Sequence, residues 1–186
     1  MSTNKHLEFG ALRKALSAGI NQIPDARQPG KVRYTLHDAF LAAFGCMYFQ
    51  DPSLLAFQKR LREPQHRDNL ETIMGVKTIL ETAQLREIID PIDSQQLRPV
   101  FKDYFTRLQR GKHLAAYRNV NGFYYCSLDG TQFFHSEKIS CPHCLTAPHH
   151  SGATSYSHKM VQAALMHPDC RHVIPLMPEE QEFSVN

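Results

Sequence analysis

Apolar residues recur at helical spacing through the first part of the chain and at strand spacing through the last. In TLHDAFLAAFGCMYFQ, residues 35–50, the positions Leu36, Phe40, Leu41, Phe44, Met47 and Tyr48 follow a helical period behind Thr35 as N-cap. Asp51-Pro52 restarts the chain, an acidic cap followed by proline at the first helical position, ahead of SLLAFQKRLR. RDNLETIMG predicts a short helix stopped by Gly75, and ETAQLREIID another that ends at Asp90-Pro91. SQQLRPVFKDYFTRLQRG predicts a longer helix, with Pro99 tolerated only in its first turn and Gly111 as its stop. Residues 35–112 therefore read as a bundle of short helices, with residues 1–34 as an N-terminal extension.

After Gly111 the pattern changes. FYYCSLD (123–129) alternates large and small residues, is rich in aromatics and follows the turn NVNG. TQFFHS (131–136) continues as extended chain past Gly130, and an aspartate beside a glycine, as Asp129 is, is most often a turn residue. YSHKMVQAALMHP (156–168) is ambiguous, since Ala163, Ala164, Leu165 and Met166 suit a helix as well as a strand. RHVIPLMP (171–178) is strand-like with two prolines, as at a sheet edge. The extended segments suggest an antiparallel meander, and the long loop 137–155 carries cysteines and histidines. The class is α+β: a helical bundle followed by antiparallel strands.

Composition adds bounds. With 42% hydrophobic and 21% charged residues the chain has the make-up of a globular protein. No uninterrupted apolar run approaches the ~20 residues of a membrane span, and the charged stretch MSTNKHLEFGALRKAL stands where a secretory signal needs an apolar region. Five cysteines, of which only Cys141 and Cys144 lie close together, suit a reducing cytoplasm better than a disulfide framework. The net charge of +3 is uneven: residues 1–120 hold 18 Lys and Arg against 12 Asp and Glu, and residues 121–186 hold 3 against 6. Lys59, Arg60, Arg62, Arg67, Arg107 and Arg110 stud the helical part. That pattern fits contact with DNA, and it fits a solvated helical surface equally well.

Seven of the eleven histidines fall between residues 135 and 172. Cys141-Pro142-His143-Cys144 has the spacing at which two thiolates grip one tetrahedral Zn²⁺ ion, and His149 or His150 together with His158 would complete the set. The spacing is not that of a DNA-reading finger, so such a site would be structural and would tie the loop to the following strand. The other reading is a polar loop with a reduced dithiol. A thioredoxin-like redox motif needs the first cysteine at a helix N-terminus, and Pro148 and Gly152 break the helix that would have to follow.

Several segments together, YCSLDGTQFFHSEKISCPHCL and SYSHKMVQAALMHPDCRHVIPLMPEE, with DPSLLAFQKR, NLETIMGV and QLREIIDPID before them, resemble the DDE transposases of bacterial insertion sequences, in the IS-four-like or unclassified group. The likeness covers roughly residues 25–180. It implies an RNase H-like core over 113–186, with 123–129, 156–166 and 172–178 as its first three strands and the Cys/His loop at 137–158. It also implies Asp129 as the first of three acidic residues that hold two Mg²⁺ ions for cutting and joining DNA. Lys59, Arg60, Arg62, Arg107 and Arg110 would be the DNA-facing cations, and the setting would be a bacterial cytoplasm. After PLMPEE the chain reads QEFSVN and stops, so the second Asp and the Glu are expected to be missing. The expectation is a truncated, inactive transposase-derived protein whose partners are DNA, a full-length transposase or a second copy of itself. The alternative is a zinc-stabilised, non-enzymatic module that binds DNA or a transposase.

Overall fold

The computed structural model describes residues 5–63 and 69–181, and in it the helices that follow Thr35, Ser53 and Glu81 begin where a side chain receives an orphan N–H of the first turn. Arg67 and Glu182, and the first two residues of RDNLETIMG, lie outside the described residues. The chain divides into two compact units, Met1–Arg107 and Leu108–Asn186. The class is mixed helix and antiparallel sheet.

In the first unit the helices are α1 (Phe9–Ile20), α2 (Leu36–Tyr48), α3 (Leu54–Leu61), α4 (Thr82–Ile89) and α5 (Arg98–Arg110), whose last turn passes the unit boundary. Thr35 caps α2 by accepting the Asp38 N–H at 3.0 Å. Glu81 and Gln84 form a reciprocal capping box on α4. Pro99 is the second residue of α5, where its missing N–H leaves no helical bond unmade. Residues 70–74 form one π-type turn ended by Gly75, whose φ of 78° is the left-handed region that glycine enters without steric cost.

Two details differ from the sequence reading. The cap of α3 is Ser53, which accepts the Ala56 N–H at 3.1 Å, and not Asp51. Asp51 is instead held by Arg60, so the carboxylate is engaged across α3 rather than along it. The supposed extension 1–34 contains α1, which sends Leu16 and Ile20 into the core.

The core explains the order of helices. α2 is apolar around most of its circumference and is buried on two sides. Leu41 and Cys46 join Leu16, Ile20, Phe57, Leu61, Leu70, Met74 and Val100 in one cluster. Leu36, Ala39 and Ala42 join Ile23, Leu80, Leu85 and Ile88 in the other. The buried Gln58 amide is engaged at both ends, donating to the Leu80 carbonyl and accepting from the Thr82 hydroxyl at 2.8 Å.

The second unit is built on one long strand. β1 (Tyr125–Ser136) and β3 (Thr154–Met166) pair antiparallel from Tyr125 opposite Met166 to Ser136 opposite Tyr156, with a bulge at Phe133. The other edge of β3 receives three short pieces: β2 (Leu145–Pro148), β5 (Glu179–Glu180) and β4 (Ile174–Pro175). The segment 156–166, ambiguous by sequence, is strand throughout. Its Ala-Ala-Leu-Met stretch is paired on both sides, and tertiary pairing outweighs a weak helical propensity. Pro175 and Pro178 break the 171–178 segment into fragments instead of a continuous third strand.

β1 is exposed along almost its whole length. Phe133 and Val161 are exposed on the sheet, while Tyr124 and Ile174 are half-buried. No described helix is long and apolar enough to cross a membrane.

Candidate metal centre

The Cys-Pro-His-Cys segment is a reverse turn. The Cys144 N–H donates to the Cys141 carbonyl at 3.1 Å, with Pro142 at the position where its fixed φ favours such a turn. The Cys141 N–H in turn donates to Cys144 Sγ at 3.2 Å. The chain then enters β2 directly, so no helix starts at Cys141 and the electrostatics of a thioredoxin-like thiol are lacking.

β2 pairs with β3 as far as Leu145 opposite Ser157, which leaves Cys144 beside His158. His158 Nε2 lies 3.2 Å from Cys141 Sγ and 3.4 Å from Cys144 Sγ, and the two sulfurs are 3.5 Å apart. A tetrahedral zinc ion with bonds of about 2.3 Å to sulfur and about 2.0 Å to nitrogen needs edges of about 3.8 Å between sulfurs and about 3.5 Å from sulfur to nitrogen. The three atoms thus mark out one face of a zinc-sized tetrahedron. Cys141, Cys144 and His158 form a group that can hold a metal ion.

The second nitrogen of His158 is also engaged. Nδ1 is 2.9 Å from Glu180 Oε1, and Glu180 stands opposite Met160 on β5. With Nε2 turned to the sulfurs, Nδ1 is the nitrogen that donates to the carboxylate. A carboxylate on the far side of a ligating imidazole fixes its tautomer and orientation and raises its basicity. The rings of Phe133 and Phe134 pack against the same imidazole, with centroids 5.7 and 5.6 Å away.

The proximity of these groups shifts their proton affinities. A backbone N–H of His143 pulls the Cys141 thiol below its ordinary value, aided by Cys144 and His158 and opposed by burial. Burial pushes the Cys144 thiol up. Burial also disfavours the His158 imidazolium, but Cys141 and Glu180 outweigh it and raise the net value.

The remaining residues singled out by sequence fall elsewhere. His149 and His150 sit in the tight β2–β3 turn, where the His149 N–H donates to the Ala153 carbonyl at 2.8 Å. Thr154, at the near end of β3, is four residues from His158, about 13 Å at roughly 3.3 Å per residue. Neither histidine belongs to the cluster. Glu180 was missed because only strand pairing brings it to His158, 22 residues away; nothing in its local sequence marks it.

Asp129 is not in a turn. It lies in the middle of β1 opposite Gln162, exposed, with Gly130 continuing the strand opposite Val161. Among the described residues no group of three metal-ligating side chains includes it.

The basic residues separate into two kinds. Arg60 binds Asp51 through both carboxylate oxygens, at 2.9 and 2.6 Å, Arg62 pairs with Glu81, and Arg107 pairs with Asp103 one helical turn away. Lys59 and Arg110 are exposed and form no ion pair among the described residues.

Compared with family models, curated proteins and solved structures, the chain has no match in any of the three.

Proposed function

We propose that the protein is a DNA-binding relative of insertion-sequence transposases, with Cys141, Cys144 and His158 holding a structural Zn²⁺. The observation that carries this reading is the order of parts in the second unit. A long antiparallel pair has Asp129 on its first strand, and a Cys-x-x-Cys connection closes onto the second. That is the order the resemblance implies for the opening of an RNase H-like core.

The reading is of a binding protein and not of a nuclease. Two-metal phosphoryl transfer needs carboxylates from several elements around each ion, and Asp129 has no such company among the described residues. Among the described residues Asp129 has no partners with which to hold Mg²⁺. DNA would be met by the helical region 35–112, with Lys59 and Arg110 as exposed cations without an ion pair among the described residues. The partners in this reading are duplex DNA, a full-length transposase or a second copy of the chain.

The test is DNA affinity measured by fluorescence anisotropy as salt is raised. Phosphate contacts release counterions, so affinity should fall steeply, and Lys59→Glu with Arg110→Glu should weaken binding to all sequences alike and flatten the slope. Absence of binding at low salt would refute the DNA reading. It would leave the zinc-stabilised protein-binding module, which the Cys141, Cys144 and His158 cluster favours independently.

A further inference from the structure

The sulfurs of Cys141 and Cys144 lie 3.5 Å apart, yet their surroundings differ. Cys141 is exposed, whereas Cys144 is only 5% exposed. The turn that joins them is closed twice, by the Cys144 N–H on the Cys141 carbonyl and by the Cys141 N–H on Cys144 Sγ. A small oxidant arriving from solvent therefore meets Cys141 first, with Cys144 behind it. A disulfide has its sulfurs about 2.05 Å apart, so side-chain rotation has to close only about 1.5 Å.

The third member of the cluster is anchored independently of that turn. His158 stands inside β3, opposite Phe134, with Nδ1 held at 2.9 Å by Glu180. Glu180 is itself fixed by the β5–β3 pairing, which continues where the Gln181 N–H donates to the Lys159 carbonyl at 2.8 Å. The two sulfurs can change their bonding while the imidazole stays in place.

We propose that Cys141 is an oxidation site for hydroperoxides, with Cys144 as its resolving thiol, and that oxidation releases the zinc ion. The release deepens the zinc reading and rests on it; the disulfide does not. A metal-bound cysteine is a thiolate, which is also the nucleophilic form. The Cys141 sulfur attacks one peroxide oxygen, the O–O bond breaks and an S–OH group forms. The other oxygen takes a proton from solvent and leaves as water, or as an alcohol from an organic hydroperoxide. The Cys144 thiolate then attacks the Cys141 sulfur, the S–S bond forms, and the hydroxyl leaves with a second proton as water. The peroxide gains the two electrons that the sulfurs lose. Zinc binds thiolates, so the disulfide leaves His158 as its one remaining donor in the cluster and the ion departs. No helix begins at Cys141, so the metal takes the part that a helix N-terminus plays in thioredoxin-like thiols.

The experiment exposes the zinc-loaded full chain to hydrogen peroxide. A chromogenic chelator reads released zinc, and peptide mass mapping reads each cysteine. One zinc should be released per Cys141–Cys144 disulfide, and a phosphine reductant should restore zinc binding. Cys126 is exposed too and serves as the internal control; Cys141 should be oxidised roughly tenfold faster. In Cys144→Ser, dimedone should trap a sulfenic acid at Cys141. Oxidation of Cys126 as fast as Cys141 would overturn the site. So would a parent chain in which Cys141 passes to sulfinic acid without forming the disulfide, or zinc that leaves while both cysteines are still reduced. A chain that takes up no zinc would refute the zinc reading and remove the release. Mapping of that metal-free chain would still decide the oxidation site, by the same comparison with Cys126. Should Cys144→Ser fail to fold, the mapping of the unaltered chain decides the matter.

Discussion

Arg60→Ala tests whether a basic residue of the helical unit serves the fold or a ligand. The guanidinium makes two charge-assisted bonds to Asp51, whose side chain is 8% exposed, while Arg60 itself is 25% exposed. It also lies over Phe49 and Phe57, 5.0 and 5.9 Å from their centroids. Hydrogen bonding to Asp51 raises the guanidinium's proton affinity further, so Arg60 stays charged. Removing Arg60 leaves a nearly buried carboxylate without its counter-charge, a change that costs about 3–5 kcal/mol when the pair is deeply buried. Because one partner is a quarter exposed, water recovers part of this, and about 3 kcal/mol is expected, including about 0.5 kcal/mol from the lost ring contacts.

The assay is thermal and urea unfolding followed by far-ultraviolet circular dichroism, which reports mainly on the helices. A loss of that size lowers the melting temperature of a unit this small by more than about 10 °C. Asp51→Leu combined with Arg60→Met should regain most of the loss, since an apolar pair of similar volume needs no desolvation. An Arg60→Ala protein within about 0.5 kcal/mol of the parent would refute the reasoning and return Arg60 to the pool of surface cations available to DNA.

Three further outcomes are expected. Gly19→Ala puts a methyl group 2.4 Å from Val100 Cγ2, an overpacking cost of about 1–3 kcal/mol against a helical gain of up to about 1, so urea midpoints should fall, and Val100→Ala in the same chain should restore them. Zinc competes with protons for Cys141 and Cys144, so affinity by chelator competition should rise with pH and fall in acid, with the buried Cys144 titrating last, and Glu180→Ala should weaken it roughly 10–100-fold; affinity flat across pH would count against thiolate ligation. β1 pairs only with β3 among the described residues and exposes Leu128 and Phe133, so sedimentation should detect self-association that Leu128→Lys reduces, and a parent chain monomeric at high concentration would contradict this.

The helical part was legible because its signals are local. Thr35 and Gly75 act within one turn of where they stand, and a capping bond or a left-handed φ is decided by a few neighbouring residues. The misreading of Asp51 as a cap arose where a side chain had two possible partners. The distant Arg60 prevailed because its fork takes both carboxylate oxygens, and Ser53 was left to cap the helix.

In the sheet unit, sequence alone determined that extended chain flanks a turn with two cysteines. It could not choose between strand and helix at 156–166, nor among His149, His150 and His158. Those choices depend on register, which is set by pairing between residues from 6 (Pro148 and Thr154) to 41 (Tyr125 and Met166) positions apart. The register of β2 on β3 carries His149 and His150 away with the turn and leaves His158 beside Cys144, and the register of β5 on β3 brings in Glu180. Asp129 likewise lost its turn because an unbroken ladder with β3 satisfies its backbone and that of Gly130. Residue types determined what chemistry was available here, and the pairing of distant strands decided which side chains could share one ion.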